Sequence, residues 1–169
     1  MSMMSIRAAT PRDREAIRLV EEHAFGQESE AGLVDALITD GDAIVELVAE
    51  EEGQVVGHIL FSRLYVTEGR KKFAAVALAP LAVEPSFHGS GIGGALIREA
   101  HLRLKDAGET LSVVLGDPAY YGRFGYTHER AAGFESAYQG AALQALAWGD
   151  APEAGRLDYA SAFSSALAA

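Results

Sequence analysis

Between Ile44 and Val83 the chain reads as successive strands, and from Gly91 onward it changes to helical spacing. That change of period limits the folds available. Ile44–Ala49, Gln54–Val66 and Phe73–Val83 are rich in Val, Ile, Leu and aromatic residues, with turn signals between them. Glu51-Glu52-Gly53 suits a tight hairpin and Thr67–Lys72 a longer one, so the three segments predict an antiparallel meander. Pro80 lies inside the third segment, where a central strand would lose a ladder hydrogen bond. Either the strand bulges there or it has no neighbour on that side. In Gly91–Ala107, Ile92, Leu96, Ala100 and Leu104 recur at steps of four, and Gly108 ends the helix. Leu111–Leu115 is a short apolar run that predicts a buried strand.

The flanks extend this pattern. Ser5–Ala8 reads as a first strand, and Thr10-Pro11 with Asp13 as a helix start. Ile17, Val20 and Ala24 form one apolar face. After a break at Gly26, Glu28–Thr39 predicts a second helix with Leu33, Ala36 and Leu37 inward. Asp117-Pro118 opens a short helix that ends near Gly125, and Ala142–Trp148 reads as a last strand. Residues 149–169, including the Ala-rich tail from Ala160, carry no pattern that places them. The whole predicts an α/β (α+β) fold with a mixed, mainly antiparallel central sheet flanked by helices. At 169 residues a single domain, 1–169, is expected.

Composition narrows the function. The absence of cysteine excludes disulfides, thiolate metal sites and cysteine nucleophiles, and no metal is expected. A net charge of -10 argues against nucleic acid, since phosphate binding needs clustered Lys and Arg. The one dense basic run, Arg70-Lys71-Lys72, reads as a solvated turn. Met1–Ala9 lacks the apolar core of a secretory signal, and charges or glycines interrupt each apolar run before it could span a bilayer. A cytoplasmic protein without membrane partners is expected.

His88-Gly89-Ser90-Gly91-Ile92-Gly93-Gly94 stands directly before the predicted helix. A helix N-terminus presents unpaired N–H groups and the positive end of its dipole, and glycines let the backbone form an anion nest. An unliganded glycine loop is one reading, at considerable entropic cost. A dinucleotide site is another. Gly89, Gly91 and Gly94 fit G-x-G-x-x-G, and Asp117 ends the next strand. Its setting disagrees: Glu84-Pro85-Ser86-Phe87-His88 separates strand from loop, and a meander precedes it. A Walker A loop fails because no Lys-Ser/Thr follows the last glycine.

The stretch from Leu81 to Ile97 resembles the acetyl-CoA motif of the GNAT superfamily, a strand ending in L-x-V followed by Q/R-x-x-G-x-G/A and a helix. Tyr121-Gly-Arg-Phe-Gly125-Tyr126 resembles the Y-x-x-x-G-F element of the same superfamily. Leu115-Gly-Asp-Pro-Ala-Tyr-Tyr with Arg-Phe-Gly-Tyr is most similar to the YhbS-like subgroup. The resemblance covers Ala79–Tyr126. It implies a fold whose fourth and fifth strands splay apart, with acetyl-CoA as co-substrate in the gap. By the same resemblance, Leu81, Ala82 and Val83 take the pantetheine arm as an added strand. His88, Gly89, Ser90, Gly91, Ile92, Gly93 and Gly94 surround the pyrophosphate. His88 stands where the family has Gln or Arg, so side-chain charge is expected to matter less than backbone N–H groups.

Acetyl transfer to an amine must deprotonate the amine, stabilise the carbonyl oxygen and protonate the departing thiolate. The resemblance implies Tyr121 as general acid, also touching the cofactor, and the Val83 N–H as carbonyl donor. The base is not evident. Val76-Ala77-Leu78-Ala79 has no ionisable group, and Glu84 follows the cofactor strand. His58 on the second meander strand is a candidate, against the plainer reading as a hydrogen-bonded structural histidine. Glu21 and Glu22 either line the acceptor site or form a solvated helix face. The resulting expectation is an N-acetyltransferase acting on a primary amine of a small molecule or protein by direct attack in a ternary complex. A non-catalytic acyl-CoA sensor and a dinucleotide-dependent oxidoreductase are the alternatives. An exposed strand in the meander or the C-terminal region would serve as a homodimer interface.

Overall fold

Thr10 and Pro11 open a 3-10 turn, Pro11–Asp13, that leads into α1 (Arg14–Phe25). The Asp13 carboxylate accepts the Thr10 N–H at 2.7 Å and the Arg7 guanidinium at 2.7 and 2.9 Å, which ties β1 (Met4–Ala8) to the helix start. Gly26, at φ 68°, stops α1, and α2 (Ser29–Thr39) follows. The computed structural model describes residues 4–167. The start of the Met1–Ala9 stretch and the end of the Ala-rich tail therefore lie outside the described residues.

The meander forms as expected, with tighter turns. β2 (Ala43–Glu51) and β3 (Gln54–Glu68) are joined through Glu52 and Gly53 at φ 51° and 81°, the positive-φ pair of a two-residue hairpin. The second hairpin was expected to be longer. Instead β3 pairs with β4 (Lys71–Val83) as far as Glu68↔Lys71, leaving only Gly69 and Arg70 in the turn, because Gly69 supplies the positive φ of 61°. α3 spans Ile92–Asp106 with Gly91 as its left-handed cap, and β5 is Leu111–Leu115. α4 (Pro118–Tyr121) begins at Asp117, whose side chain accepts the Ala119 N–H.

Beyond α5 (His128–Ala131) the chain holds more structure than its pattern suggests. β6 (Phe134–Glu135), β7 (Leu143–Ala147), β8 (Gly155–Asp158) and α6 (Ala162–Leu167) follow in turn. The Ala142–Trp148 segment is thus a strand but not the last one. β8 pairs with the far end of β3, from Tyr65↔Asp158 to Thr67↔Arg156. Such short segments are held by a distant partner rather than by their own periodicity.

Strands run in the order β1-β2-β3-β4-β5-β7. β1 to β4 are antiparallel, whereas β4 and β5 are parallel with α3 as their crossover. That order is not the parallel series a dinucleotide fold requires. The β4–β5 ladder covers only Val76↔Ser112, Ala77↔Val113 and Leu78↔Val114. Just past it the β3–β4 register slips between Phe61↔Leu78 and Ile59↔Leu81, so Ala79 and Pro80 together oppose Leu60. Both alternatives raised by Pro80 hold: the strand bulges, and its neighbour ends.

One sheet face packs Leu47, Ile59, Phe61 and Leu78 under Ile92, Leu96 and Ala100 of α3. The other packs Val48 and Leu60 under Ile17, Leu33 and Leu37 of α1 and α2. Gly57 permits the first contact: a Cβ there would lie 2.9 Å from Ile92 Cγ2 and 3.0 Å from Leu96 Cδ1. Gly57→Val should therefore lower unfolding free energy by about 1–3 kcal/mol, read as a reduced urea midpoint at unchanged slope. An unaltered midpoint would mean that α3 does not sit this close.

Candidate active site

Because β5 parts from β4 after Leu78, the last residues of β4 have a strand on one side only. Glu84 N–H donates to Val56 O at 2.8 Å, toward β3. Alternation then turns the N–H and C=O of Leu81 and Val83 to the opposite, unpaired side. Buried backbone groups left this way need a partner. The Val83 carbonyl has one: His88 Nε2–H donates to it at 2.8 Å. His88 is thus turned toward the strand.

The loop reaches the helix through Gly89 and Gly91 at φ 83° and 85°, a region open mainly to glycine. Ala95 N–H makes the first bond of α3, to Gly91 O, so the N–H groups of Ile92, Gly93 and Gly94 precede the ladder. A cleft of about 480 Å³ opens over them. Leu81, Ala82, Val83, His88, Gly89, Gly91, Ile92, Gly93 and Gly94 line it, together with Ala24, Phe25, Tyr120, Arg98 and Arg123. Ser90 is not in the wall; its hydroxyl bonds back to Phe87 O.

The two arginines were not expected. Arg98 stacks 5.1 Å from the Phe124 ring, and Arg123 lies 5.6 and 5.5 Å from Tyr120 and Phe124. The cleft therefore combines backbone donors with two guanidinium groups. Arg98, one helical turn beyond Gly94, was the legible signal, since i and i+4 share a face. Arg123 sits inside the Tyr121–Tyr126 element itself.

The adjacent tyrosines divide between two cavities. Tyr120 lines the cleft, whereas Tyr121 lines a second cavity where β4 and β5 part, beside Leu78–Leu81 and Val113–Leu115. The rings meet edge-on at 5.0 Å. Gly116 makes room for Tyr121, because a Cβ there would lie 2.5 Å from its Cε2. Burial pushes the Tyr121 phenol up to about 12, so it stays protonated at neutral pH. A protonated donor at the strand gap is what thiolate protonation requires.

Glu84 faces another surface, where it pairs with His23 at 2.9 Å. Glu21 is not on a solvated helix face. It follows Ile17 and Val20 by one turn or less, shares their buried side and is 0% exposed. There its Oε2 lies 2.6 Å from Nδ1 of His58, whose Nε2 lies 2.7 Å from Glu46 Oε2. Glu46 also pairs with Arg14. His58 is fully buried with both nitrogens engaged, so an acceptor could exchange protons with it only through a carboxylate. It pairs across the sheet with Ala82 of the cleft wall.

Burial alone would depress the His58 pKa, but the hydrogen bonds and charges of the two carboxylates outweigh it and raise the pKa above the ordinary histidine value. Burial raises that of Glu21 despite His58. Glu46 is also penalised by burial, yet His58 and Arg14 together hold it below the carboxylate range. The Oε1 of Glu21 is buried without a protein partner. Such an atom is available to a proton or a water.

Residues 5–128 of the chain match the family model for the acetyltransferase (GNAT) domain. The uncharacterized N-acetyltransferase YjhQ of Escherichia coli (strain K12) is 42% identical over 116 residues, 68% of this chain and 64% of that protein. The uncharacterized N-acetyltransferase YhbS of the same strain is 38% identical over 144 residues, 80% of this chain and 85% of that protein. Among solved structures, a GNAT family acetyltransferase from Brucella melitensis in complex with acetyl-CoA superposes with a TM-score of 0.81 at 39% identity. That match covers 95% of this chain and 98% of the other. Escherichia coli YhbS in complex with CoA superposes with a TM-score of 0.89 over 97% of this chain and 93% of its own. Its identity is 30% over that wider span.

The pKa values of the two buried histidines are shifted in opposite directions. His101 packs against Phe61, Tyr126 and Trp148, and burial lowers its pKa to about 4. Its neutral form is favoured, so its contribution to stability falls as pH drops from about 6.5 toward that value. His58 is raised, so its contribution is complete below about 6.5 and is lost as pH rises through the folded value. Imidazole nitrogen shifts followed by NMR from pH 3.5 to pH 9 should show His101 losing its proton first; the reverse order would refute the assignment of charge to the Glu21–His58–Glu46 cluster.

Proposed function

The chain belongs to the GNAT acetyltransferase family, and from that premise we propose that it transfers acetyl from acetyl-CoA to a primary amine by direct attack in a ternary complex. The observation that carries this reading is the unpaired inner edge of β4 beside the glycine loop. An extended pantetheine arm would add to that edge as a strand does, through the outward N–H and C=O of Leu81 and the C=O of Val83, leaving the Val83 N–H for the acetyl carbonyl. His88 would first release the Val83 carbonyl. The pyrophosphate would meet the N–H groups at the head of α3, with Arg98 and Arg123 supplying charge. Acetyl-CoA in the relative from Brucella melitensis and CoA in YhbS support this choice of co-substrate.

Attack forms a C–N bond at the thioester carbonyl and breaks its C–S bond. The amine arrives as an ammonium and gives up one proton before attack and another from the tetrahedral adduct. The Val83 N–H is assigned to the developing carbonyl oxygen. Tyr121 O–H gives its proton to the sulfur as the thiol leaves, and recovers one of those shed by the amine. The other proton leaves by way of an intervening water to Glu21, which lines neither cavity but whose raised pKa and unpartnered Oε1 suit it to accept one, with His58 and Glu46 holding the cluster's charge behind it. His58 then acts as a positioning residue rather than as the group that touches the amine.

Isothermal titration should detect acetyl-CoA binding, and thiol release should follow addition of an amine. Binding without release for every amine would favour the sensor alternative. Tyr121→Phe should lower kcat by at least about tenfold with acetyl-CoA affinity nearly unchanged; equal loss of both would make the tyrosine structural. Gly91→Val should abolish acetyl-CoA binding, since the φ of 85° that aims the loop is unsuited to a β-branched residue. Glu21→Gln should lower kcat while Kd for acetyl-CoA holds. A wild-type kcat in that variant would remove Glu21 from the proton path.

A further inference from the structure

Resting on that acetyltransferase reading, we propose that the acceptor is a monoamine carried on an aromatic body, bound in the second cavity. The cavity holds about 360 Å³, toward the small end of the ~300–1,000 Å³ typical of small-molecule sites. Phe25 and Leu81 belong to both its wall and the cofactor cleft. A guest there faces the β4–β5 gap from the side opposite the cofactor, with Tyr121 in its own wall.

The wall chemistry selects the guest. Tyr138, Tyr159 and Phe163 form a continuous aromatic series, with ring centroids 5.4 and 5.5 Å apart at 78° and 58°. Such tilted and edge-on arrangements leave ring faces and edges for another aromatic ring. Glu30 is the single charged side chain in the lining. Its hydrogen-bond partner among the described residues is the neutral Gln27 amide, at 3.1 and 3.3 Å, so its charge is not matched by a cation. One ammonium finds a counter-charge here. A polyamine would bring further ammonium groups against apolar wall, and their desolvation would go uncompensated. The protein's net charge of -10 attracts cations in general, but the site offers a single carboxylate.

Tyr138, Tyr159 and Phe163 lie outside the 5–128 matched by the family model. Three of the cavity's five aromatic side chains are thus contributed by the chain's C-terminal elements, whereas the acetyl-transfer machinery is drawn from the matched region.

The test uses the full chain with saturating acetyl-CoA, reading thiol release from 2-phenylethylamine, tryptamine, spermidine and a peptide with a free N-terminal alanine. Both aromatic amines should exceed spermidine and the peptide by about tenfold or more in kcat/KM. Glu30→Gln should raise KM for 2-phenylethylamine about tenfold, the loss expected of a charge-assisted contact, without altering acetyl-CoA Kd or the thermal midpoint. Phe163→Leu should raise KM for tryptamine more than for the peptide. Preference for spermidine or the peptide, or an unchanged KM in Glu30→Gln, overturns this inference and leaves acetyl transfer standing. No thiol release from any of the four despite acetyl-CoA binding overturns both. Failure of acetyl-CoA to bind overturns the acetyltransferase reading at its root.

Discussion

The parallel ladder between β4 and β5 lasts for three residue pairs, and the rest of the site depends on its ending there. Had it continued, Leu81 and Val83 would spend their outward N–H and C=O groups on β5. Its end coincides with the bulge in which Ala79 and Pro80 oppose Leu60. Proline contributes no N–H, so the point of departure carries one fewer unsatisfied donor. The bulge turns β4 away while β3 keeps hold of its other edge through Glu84 N–H to Val56 O. The half-paired end of β4 is thereby still held along one edge, which a free loop would not be.

Around that edge, fixed dipoles and mobile charges have different tasks. Gly89, Gly91 and the head of α3 aim N–H groups with little side-chain involvement, and Arg98 and Arg123 lie against aromatic rings at the rim. Stacking limits the freedom of long guanidinium chains, so less entropy is lost when they meet an anion. The Glu21–His58–Glu46 cluster lies on the other side of the sheet edge. There burial works against every charged member, and only mutual hydrogen bonding sustains them. Removing any one partner from such an array would leave a buried charge uncompensated.

Legibility in the sequence followed how local each feature is. The strand–loop–helix from Leu81, the caps at Asp117 and Gly108, and the irregularity at Pro80 are written in neighbouring residues, and the fold places all of them as expected. Glu21 was harder. A carboxylate beside Glu22 on an amphipathic helix reads as solvated, and its burial becomes sensible only once His58 is known to oppose it. Glu46, on β2, gave no hint, because its partners Arg14 and His58 lie far along the chain. The same holds for β6 and β8. Their few residues carry no period of their own and are strands because β3 runs on past the end of β2.

This contrast extends to the two sides of the gap. The cofactor side takes most of its wall from Leu81–Gly94, with Arg98, Tyr120 and Arg123 added from the following elements, so most of it can be recognised as a motif. The far side draws on α1, α2, the β4–β5 walls and the C-terminal segment together. No short pattern can record such a surface, and substitutions in any of those elements can reshape it without touching β4. Phe25 and Leu81 are where the two sides meet, and they are the positions at which a change in one must be felt by the other. An edge built from backbone geometry is thus physically separate from a wall built from the side chains of several elements, so the wall can change without altering the edge.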